Sequence, residues 1–321
     1  MNTLTNTMRT ALKAEPSIEK AVKEKSGGPC VLSPQRPSWL DESLYPFQSR
    51  YLEWPDCRVH YVDEGAGPAL LFLHPAPAWS FFYRNFITGL QDRFRCIALD
   101  YPGFGFSTAS PGYGYTLPEH AAVVERFIET LDLTDLTMLV HDSGGPIGLR
   151  VAGLHPGRFQ ALILTDTFGW PLSGYPKVVR VLKFVSGPVF GFLNQRFNLL
   201  PWVVGAVAPR RRKLSKAERA AYTQAFPTRE SRRRILILLR NLIEREDYMR
   251  SVEQGLARLK DLPVLLMYGE HDPARLVGWQ TRFAELFPRH RSLVITGEGH
   301  FPHEGAPEEM VAAIRNWWPG G

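Results

Sequence analysis

The stretch that most constrains the fold of this chain is LTMLVHDSGGPIGL, at residues 136–149. It begins with a short apolar run, continues with the polar residues His141, Asp142 and Ser143, passes two glycines and ends in an apolar segment able to start a helix. A strand, a sharp turn and a helix form a nucleophile elbow, in which one side chain is held clear of the backbone above a parallel sheet. Glycines fit such a turn because strand and helix approach so closely that a Cβ would collide.

The residue at the centre of this turn is predicted to be Asp142. In the elbow pattern G-x-S-x-G the nucleophile stands two residues before a glycine, and Asp142 stands two residues before Gly144. A second register would make Ser143 the nucleophile, but it places the large His141 where a small residue belongs. We favour Asp142 and keep Ser143 as the alternative. An ordinary loop with an N-capping Asp or Ser is the simplest competing interpretation.

The composition excludes several classes of protein. With 321 residues, of which 44% are hydrophobic, the chain is long enough for one large α/β domain or two smaller ones. The formal charge of +6 comes largely from basic clusters at 210–213 and 232–234. These clusters lack interleaved aromatic residues or a nucleic-acid motif, so we expect solvated helix faces and no nucleic-acid partner.

Cysteine usage and the N-terminal sequence predict a cytoplasmic protein. Cys30, Cys57 and Cys96 are odd in number and have no metal-ligand spacing, which favours reduced thiols. Residues 1–25 lack the continuous apolar core of a signal peptide.

Strand and helix patterns alternate along most of the chain. Apolar runs predict strands at 58–62, 69–73, 95–99, 136–140, 161–165, 264–268 and 292–296, with helices at 118–131, 144–154 and 310–317. Strands that are apolar on both faces imply a mostly parallel sheet flanked by helices on both sides, an α/β fold. Active sites of such sheets lie at the carboxyl ends of the strands.

The periodicity divides the chain into three parts. Residues 1–44 are expected to be a mostly irregular extension, and 45–169 together with 260–321 form the α/β core. Between them, residues 170–259 show helical patterns at 178–192, 215–225 and 230–243, which predict a helical cap inserted before the penultimate core strand. The apolar run at 184–208 is interrupted by Arg196 and Pro201, so we expect it to line an apolar pocket and to make no stable membrane insertion.

Three residues with catalytic chemistry follow predicted strands in the order Asp142, Asp272, His300. This is the order of nucleophile, acid and base in an α/β-hydrolase. His300 would deprotonate water, and a carboxylate behind it would hold its tautomer and stabilise the imidazolium. Asp166, which follows the strand at 161–165, is the alternative acid. We favour Asp272 because its order and its Gly-x-x-Asp-Pro turn fit the triad pattern.

The chain resembles the haloalkane dehalogenase family of α/β-hydrolases over residues 39–318. The likeness lies in the motifs at 39–41 (WLD), 45–47 (YPF), 60–65 (HYVDEG), 79–80 (WS), 83–84 (YR), 144–149 (GGPIGL), 226–231 (FPTRES) and 299–301 (GHF). The resemblance implies an aspartate nucleophile, a histidine base, a helical cap and no metal or organic cofactor. Members of the family differ in whether the acid precedes or follows the cap. Epoxide hydrolases and β-lactone decarboxylases, which are distantly similar, share the aspartate nucleophile.

The motif also implies an oxyanion hole formed by the backbone N–H groups of Ala76 and Ser143. At these two positions the sequence departs from the family, which usually has Trp directly after the nucleophile and Asn or Glu at position 76 to bind the leaving halide. An anion left in an apolar pocket without donors costs several kcal/mol, which is about three powers of ten in rate. Substitute donors would be the Ser143 hydroxyl or an indole of Trp79, Trp170 or Trp202. For an oxygen leaving group, the candidates are Tyr175, Tyr222 and Tyr248.

The leading hypothesis is a hydrolase that uses Asp142, His300 and Asp272 on a small apolar substrate and water. The bond that breaks would be C–halogen or a strained C–O bond, as in an epoxide or lactone. The alternatives are a serine esterase that uses Ser143 and a non-catalytic binding protein that kept the fold.

Overall fold

In the computed structural model, which describes residues 36–206 and 209–318, nine strands form one sheet. The strands are β1 (Arg50–Glu53), β2 (Cys57–Glu64), β3 (Ala69–Leu73), β4 (Arg95–Leu99), β5 (Thr108–Ala109), β6 (Leu136–His141), β7 (Phe159–Thr165), β8 (Val264–Gly269) and β9 (His290–Ile295). Their order is β1-β2-β4-β3-β6-β7-β8-β9, and β5 pairs with β2. From β4 through β3, β6, β7 and β8 to β9, each strand pairs parallel with the next. In contrast, β1, β4 and β5 each pair antiparallel with β2. The predicted α/β-hydrolase fold with a mostly parallel sheet is confirmed.

Helices cover the sheet and fill the long connection between β7 and β8. Those outside that connection are α1 (Arg84–Leu90), α2 (Leu117–Thr130), α3 (Gly144–Leu154), α10 (Pro273–Leu276), α11 (Trp279–Leu286), α12 (Pro302–Gly305) and α13 (Pro307–Trp317). Those inside it are α4 (Pro176–Ser186), α5 (Pro188–Phe197), α6 (Leu199–Ala206), α7 (Lys216–Gln224), α8 (Arg229–Glu244) and α9 (Glu246–Leu256). We call α4–α9 the helical insertion.

Local sequence explains where several of these helices begin. Thr116 and Ser215 precede α2 and α7 and form capping boxes. In each, the side-chain oxygen accepts a hydrogen bond from the backbone N–H three residues later, and the glutamate at that position accepts one from the backbone N–H of the capping residue. The helix predicted at 178–192 is in fact two, α4 and α5. Gly187 and Pro188 separate them, since proline lacks the N–H that a continuous helix would need there.

Two of the three cysteines lie within the described residues. Cys57 and Cys96 are free and buried, and burial raises the pKa of Cys57 to about 12 and also raises that of Cys96. Cys30 and the first 35 residues of the predicted extension lie outside the described residues. In the described ranges, no helix combines the length and the apolar character needed to cross a bilayer.

The core of the fold is the sheet itself, because the central strands are buried on both faces. All residues of β6 and β8 are buried. These strands end at one edge of the sheet, where the polar residues that follow β6, β7, β8 and β9 come together.

Candidate active site

The predicted elbow is formed by the end of β6, a two-residue turn and the start of α3. Asp142 has a φ of +44°, a left-handed conformation that costs a non-glycine residue about 1–3 kcal/mol. The next two positions have no room for a side chain. A Cβ on Gly144 would lie 2.4 Å from the carbonyl oxygen of Leu73, and a Cβ on Gly145 would lie 1.8 Å from Thr167 Oγ1. Steric limits of strand and helix packing therefore require this glycine pair.

The side chains of Asp142, His300 and Asp272 lie side by side, just after β6, β9 and β8 respectively. His300 Nε2 lies 3.6 Å from Asp142 Oδ1, and His300 Nδ1 lies 2.8 Å from Asp272 Oδ1. The Asp142 and His300 side chains are 19% and 31% exposed, whereas Asp272 is fully buried. A small molecule therefore has access to the first two groups, and the third holds the imidazole from behind.

The alternative acid, Asp166, is also at this site but contacts Asp272 instead of His300. Its Oδ1 accepts a hydrogen bond from the Gly269 N–H at 2.9 Å. Burial and the charge of Asp272 raise the pKa of Asp166 well above its usual value, which favours the protonated form of the Asp166 carboxyl group. The Oδ2 atoms of Asp166 and Asp272 have no hydrogen-bond partner in the described residues.

The charge of His300 follows from its two carboxylate neighbours. Burial lowers the pKa of His300, but the charges and hydrogen bonds of Asp272 and Asp142 outweigh burial and raise it well above the usual value. In turn, although burial opposes it, His300 lowers the pKa of Asp272. This raised pKa favours the imidazolium form of His300 in the resting site.

Two further histidines, His141 and His303, pack behind His300. Burial and the charge of neighbouring histidines lower the pKa of both well below the usual value, so both are neutral. Thr165 Oγ1 donates to the Val140 carbonyl at 2.9 Å, so it accepts from His141 Nδ1 at 3.1 Å and from His303 Nε2 at 3.2 Å. One ligand atom from each of these histidines and one from Asp166 lie within 4.8 Å of one another, close enough to approach one ion. Thr165 and the two histidines form a buried hydrogen-bond network, whereas the second nitrogen of each ring has no partner in the described residues.

The predicted oxyanion hole is occupied by a side chain of the protein. The Ala76 N–H donates a hydrogen bond to Ser143 Oγ at 2.9 Å, and Ser143 has no accessible surface. The Ser143 hydroxyl makes no hydrogen bond to His300 within the described chain, so the arrangement that a serine nucleophile needs is not formed. An oxyanion would bind the Ala76 N–H only after the Ser143 side chain turns away.

The groups suggested as substitute donors to the leaving group are largely held by structural partners. Trp79 Nε1 donates to the Ala221 carbonyl at 3.0 Å, the Tyr222 hydroxyl donates to Glu304 at 2.5 Å, and the Tyr248 hydroxyl donates to the Pro146 carbonyl at 3.2 Å. Because each of these three side chains already donates its proton to another group of the protein, none of them is available as a donor to a leaving group.

Of the other three candidates, Trp170 and Tyr175 precede α4, and Trp202 lies on α6. Trp170 is buried against α11 with the Arg282 guanidinium over its ring at 4.1 Å, and its Nε1 has no partner in the described residues. The Tyr175 hydroxyl accepts from Arg282 at 3.3 Å. Trp202 is 54% exposed. None of the three donates a hydrogen bond to Asp142 or His300 in the described part of the chain.

A buried ionic network that the sequence did not reveal joins the insertion to the core. Arg84 on α1 donates to both carboxylate oxygens of Glu304 at 2.5 and 2.7 Å and to Glu218 on α7 at 2.7 Å. Although burial opposes it, hydrogen bonds from Arg212 and Ser215 and the charge of Arg84 lower the pKa of Glu218 to about 2. Removing one member of such a group leaves a buried charge unpaired, at a cost of about 3–5 kcal/mol.

The sequence matches known proteins over the same region as this fold. The family model of the alpha/beta hydrolase fold matches residues 68–307, so the chain belongs to the α/β-hydrolases. Haloalkane dehalogenase 2 of Mycobacterium tuberculosis strain H37Rv is 35% identical over 280 residues, which cover 85% of this chain and 96% of that protein. Within the α/β-hydrolases, the chain is therefore a member of the haloalkane dehalogenase family.

Two other similar proteins extend this picture. A cis-3-alkyl-4-alkyloxetan-2-one decarboxylase of Shewanella oneidensis is 26% identical over 285 residues, covering 86% of this chain and 90% of that protein. A crystal structure described as an ancestral haloalkane dehalogenase is similar with a TM-score of 0.75 and 26% identity, covering 84% of this chain and 97% of the other. The chain is thus a haloalkane dehalogenase-like hydrolase.

Proposed function

We propose that Asp142 attacks an sp³ carbon of a small apolar substrate and displaces a halide or an oxygen of a strained ring. The bond to the leaving group breaks as the carboxylate oxygen bonds to carbon, which leaves an alkyl ester on Asp142. His300 then takes a proton from water, and the resulting hydroxide attacks the ester carbonyl to release the alcohol and restore the carboxylate. The observation that carries the proposal is the alignment of Asp142, His300 and Asp272 at 3.6 and 2.8 Å.

The charges of the site suit these two steps in order. In the first step Asp142 needs no base, because it is itself the anion that attacks. Forming the ester removes the Asp142 charge, one of the two charges that raise the pKa of His300. The imidazole then releases its proton more readily and is available to activate water, while Asp272 holds its Nδ1–H. We assign the triad acid to Asp272, with Asp166 as its protonated partner.

The two candidate leaving groups correspond to the names of similar proteins, one a haloalkane dehalogenase and the other an alkyloxetanone decarboxylase. Both substrate types present an electrophilic carbon in an apolar molecule. A panel of haloalkanes, epoxides, β-lactones and p-nitrophenyl esters, assayed with wild type and Asp142→Asn, distinguishes them. We expect turnover of one of the first three classes by wild type alone.

The covalent step is tested by mass spectrometry of His300→Gln mixed with a substrate from this panel. The variant should accumulate an alkyl adduct on the peptide that carries Asp142, because the nucleophile is intact and the base is missing. An adduct on Ser143, or labelling of wild type by a fluorophosphonate, would support a serine esterase instead. If Asp142→Asn leaves every activity unchanged, the chain is not using this carboxylate.

A further inference from the structure

Exposed apolar side chains are concentrated on one part of the helical insertion. Of the eleven large hydrophobic residues that are exposed in the described chain, eight lie on α4, α5 and α6. They are Val181, Phe184, Val189, Phe192, Leu193, Phe197, Trp202 and Val203. We call this group the α4–α6 surface. Scattered exposed apolar residues are normal, but a group of this size on three consecutive helices is typical of an interaction site.

These residues lie on the side of the helices that faces away from the rest of the protein. The opposite side of α4 presents Val178, Leu182 and Val185, which are partly buried against the core. Helix α8 binds the inner side of α4 and α5 through two hydrogen bonds. Arg240 donates to the Ser186 carbonyl at 2.8 Å, and Arg232 donates to the Gln195 carbonyl at 3.0 Å. The α4–α6 surface is therefore not the inner face of the insertion.

The same segment is strongly basic. Residues 167–217 contain nine Lys or Arg residues and no Asp or Glu. Five of the nine lie at 210–216, where Arg211 and Arg212 pair with glutamates. The other four are Lys177, Arg180, Lys183 and Arg196, which are exposed on α4 and α5 and make no salt bridge within the described residues. Cations without a salt-bridge partner in the described residues therefore lie on the same two helices, α4 and α5, as most of the exposed apolar side chains.

We propose that the α4–α6 surface binds an anionic lipid surface and lies at the boundary between headgroups and acyl chains. The apolar side chains would enter this boundary while the four unpaired cations contact lipid phosphates. Helices of 11, 10 and 8 residues are far shorter than the roughly 20 residues of a spanning helix. The contact is therefore interfacial, and it does not rest on the catalytic roles proposed above.

Charge distinguishes lipid from a second copy of the chain. A twofold interface would place this surface against itself, with its cations facing like charges and no acid of the same segment to pair with them. Anionic phospholipids offer both an apolar interior and the opposite charge. Anionic lipid therefore complements both the apolar side chains and the positive charge of the α4–α6 surface.

The test is flotation of the full chain with vesicles of phosphatidylglycerol and, separately, of phosphatidylcholine. We expect binding to the first, little binding to the second, and a loss of binding as salt is raised. Phe184→Ser combined with Phe192→Ser should weaken binding about tenfold or more, since both rings would enter the lipid. The matched control is Leu276→Ser with Leu286→Ser, which removes two exposed apolar side chains outside the surface.

A second pair of variants tests the contribution of positive charge to vesicle binding. Lys183→Glu should weaken binding to phosphatidylglycerol vesicles severalfold, whereas Lys260→Glu, which makes the same change of net charge at an exposed site elsewhere, should have little effect. Hydrolase turnover on a water-soluble substrate should stay at the wild-type level in all four variants. Absence of wild-type binding, equal effects of both members of either pair, or a dimer that is lost in the phenylalanine variant without any vesicle binding would overturn the proposal.

Discussion

The two halves of the candidate active site are built in different ways. On the triad side, Asp142, His300 and Asp272 each follow a strand of the parallel sheet and lie within 2.8–3.6 Å of the next member. On the leaving-group side, the side chain of Ala76 is a methyl group that cannot donate a hydrogen bond. The Ser143 hydroxyl oxygen accepts a hydrogen bond from the Ala76 N–H. The proposed groups for ester formation and hydrolysis are therefore in contact with one another, whereas, among the described residues, none of the Trp and Tyr candidates for binding a leaving anion donates a hydrogen bond to Asp142 or His300.

Because of this difference, the two halves of the site are expected to affect different steps of the proposed reaction. In the proposed reaction, the triad side determines whether an ester forms and is hydrolysed. The leaving-group side determines which bond breaks, because an unsolvated anion costs several kcal/mol in an apolar site. Substitutions on the two sides are therefore expected to change different steps of the reaction, and the following variants test this division.

The largest effect is expected on the triad side, from Asp272→Asn. Loss of the carboxylate that holds His300 should lower kcat by about four powers of ten, as expected when a triad acid is replaced by its amide. The matched variant is Asp166→Asn, which keeps a donor to Asp272 and an acceptor for the Gly269 N–H, and it should change kcat by less than about tenfold. Steady-state kinetics on the best panel substrate measures both. The opposite ranking would show that Asp166 is the acid.

An intermediate effect is expected on the leaving-group side, from Ala76→Asn. The new amide would offer the donor that the family has at this position, and the rate of C–halogen cleavage should rise about 10²-fold. Rapid-mixing measurement of halide release in a single turnover isolates this step. Ala76→Leu, which has a similar size and no donor, should show no gain. A gain in both variants would indicate a packing effect instead of a hydrogen bond.

The smallest effect is expected from Ser143→Ala, which frees the Ala76 N–H for the oxyanion. The hydrogen bond that wild type breaks in each turnover is worth about 0.5–1.5 kcal/mol, so hydrolysis of the alkyl-enzyme should be up to about tenfold faster. Its decay in a single-turnover experiment gives this rate, and Ser143→Gly should behave in the same way. Slower C–halogen cleavage in both variants would contradict this prediction and identify the hydroxyl as the leaving-group donor.

The features that the sequence predicted are those that local patterns determine. Apolar runs located the parallel strands, and the residues that follow these runs lie at one edge of the sheet by the geometry of parallel pairing. The left-handed backbone conformation of Asp142 is a local feature too. This is why the elbow and the positions of Asp272 and His300 were accessible without a structure.

The features that the sequence did not predict depend on distances between side chains. The raised pKa of Asp166 follows from its burial and from the charge of Asp272, 106 positions away along the chain. The contact of Ser143 with Ala76 depends on one rotamer. The Arg84–Glu304 pair joins residues 220 positions apart and has no periodic signature.

The ionic network around Arg84 also determines which part of the insertion is free to move. It fixes α7 to the core, whereas the side-chain hydrogen bonds between α4–α6 and other described helices go only to α7 and α8. A transient opening can therefore displace α4–α6 without separating any buried charges. Movement of this outer layer then leaves the alignment of Asp142, His300 and Asp272 unchanged.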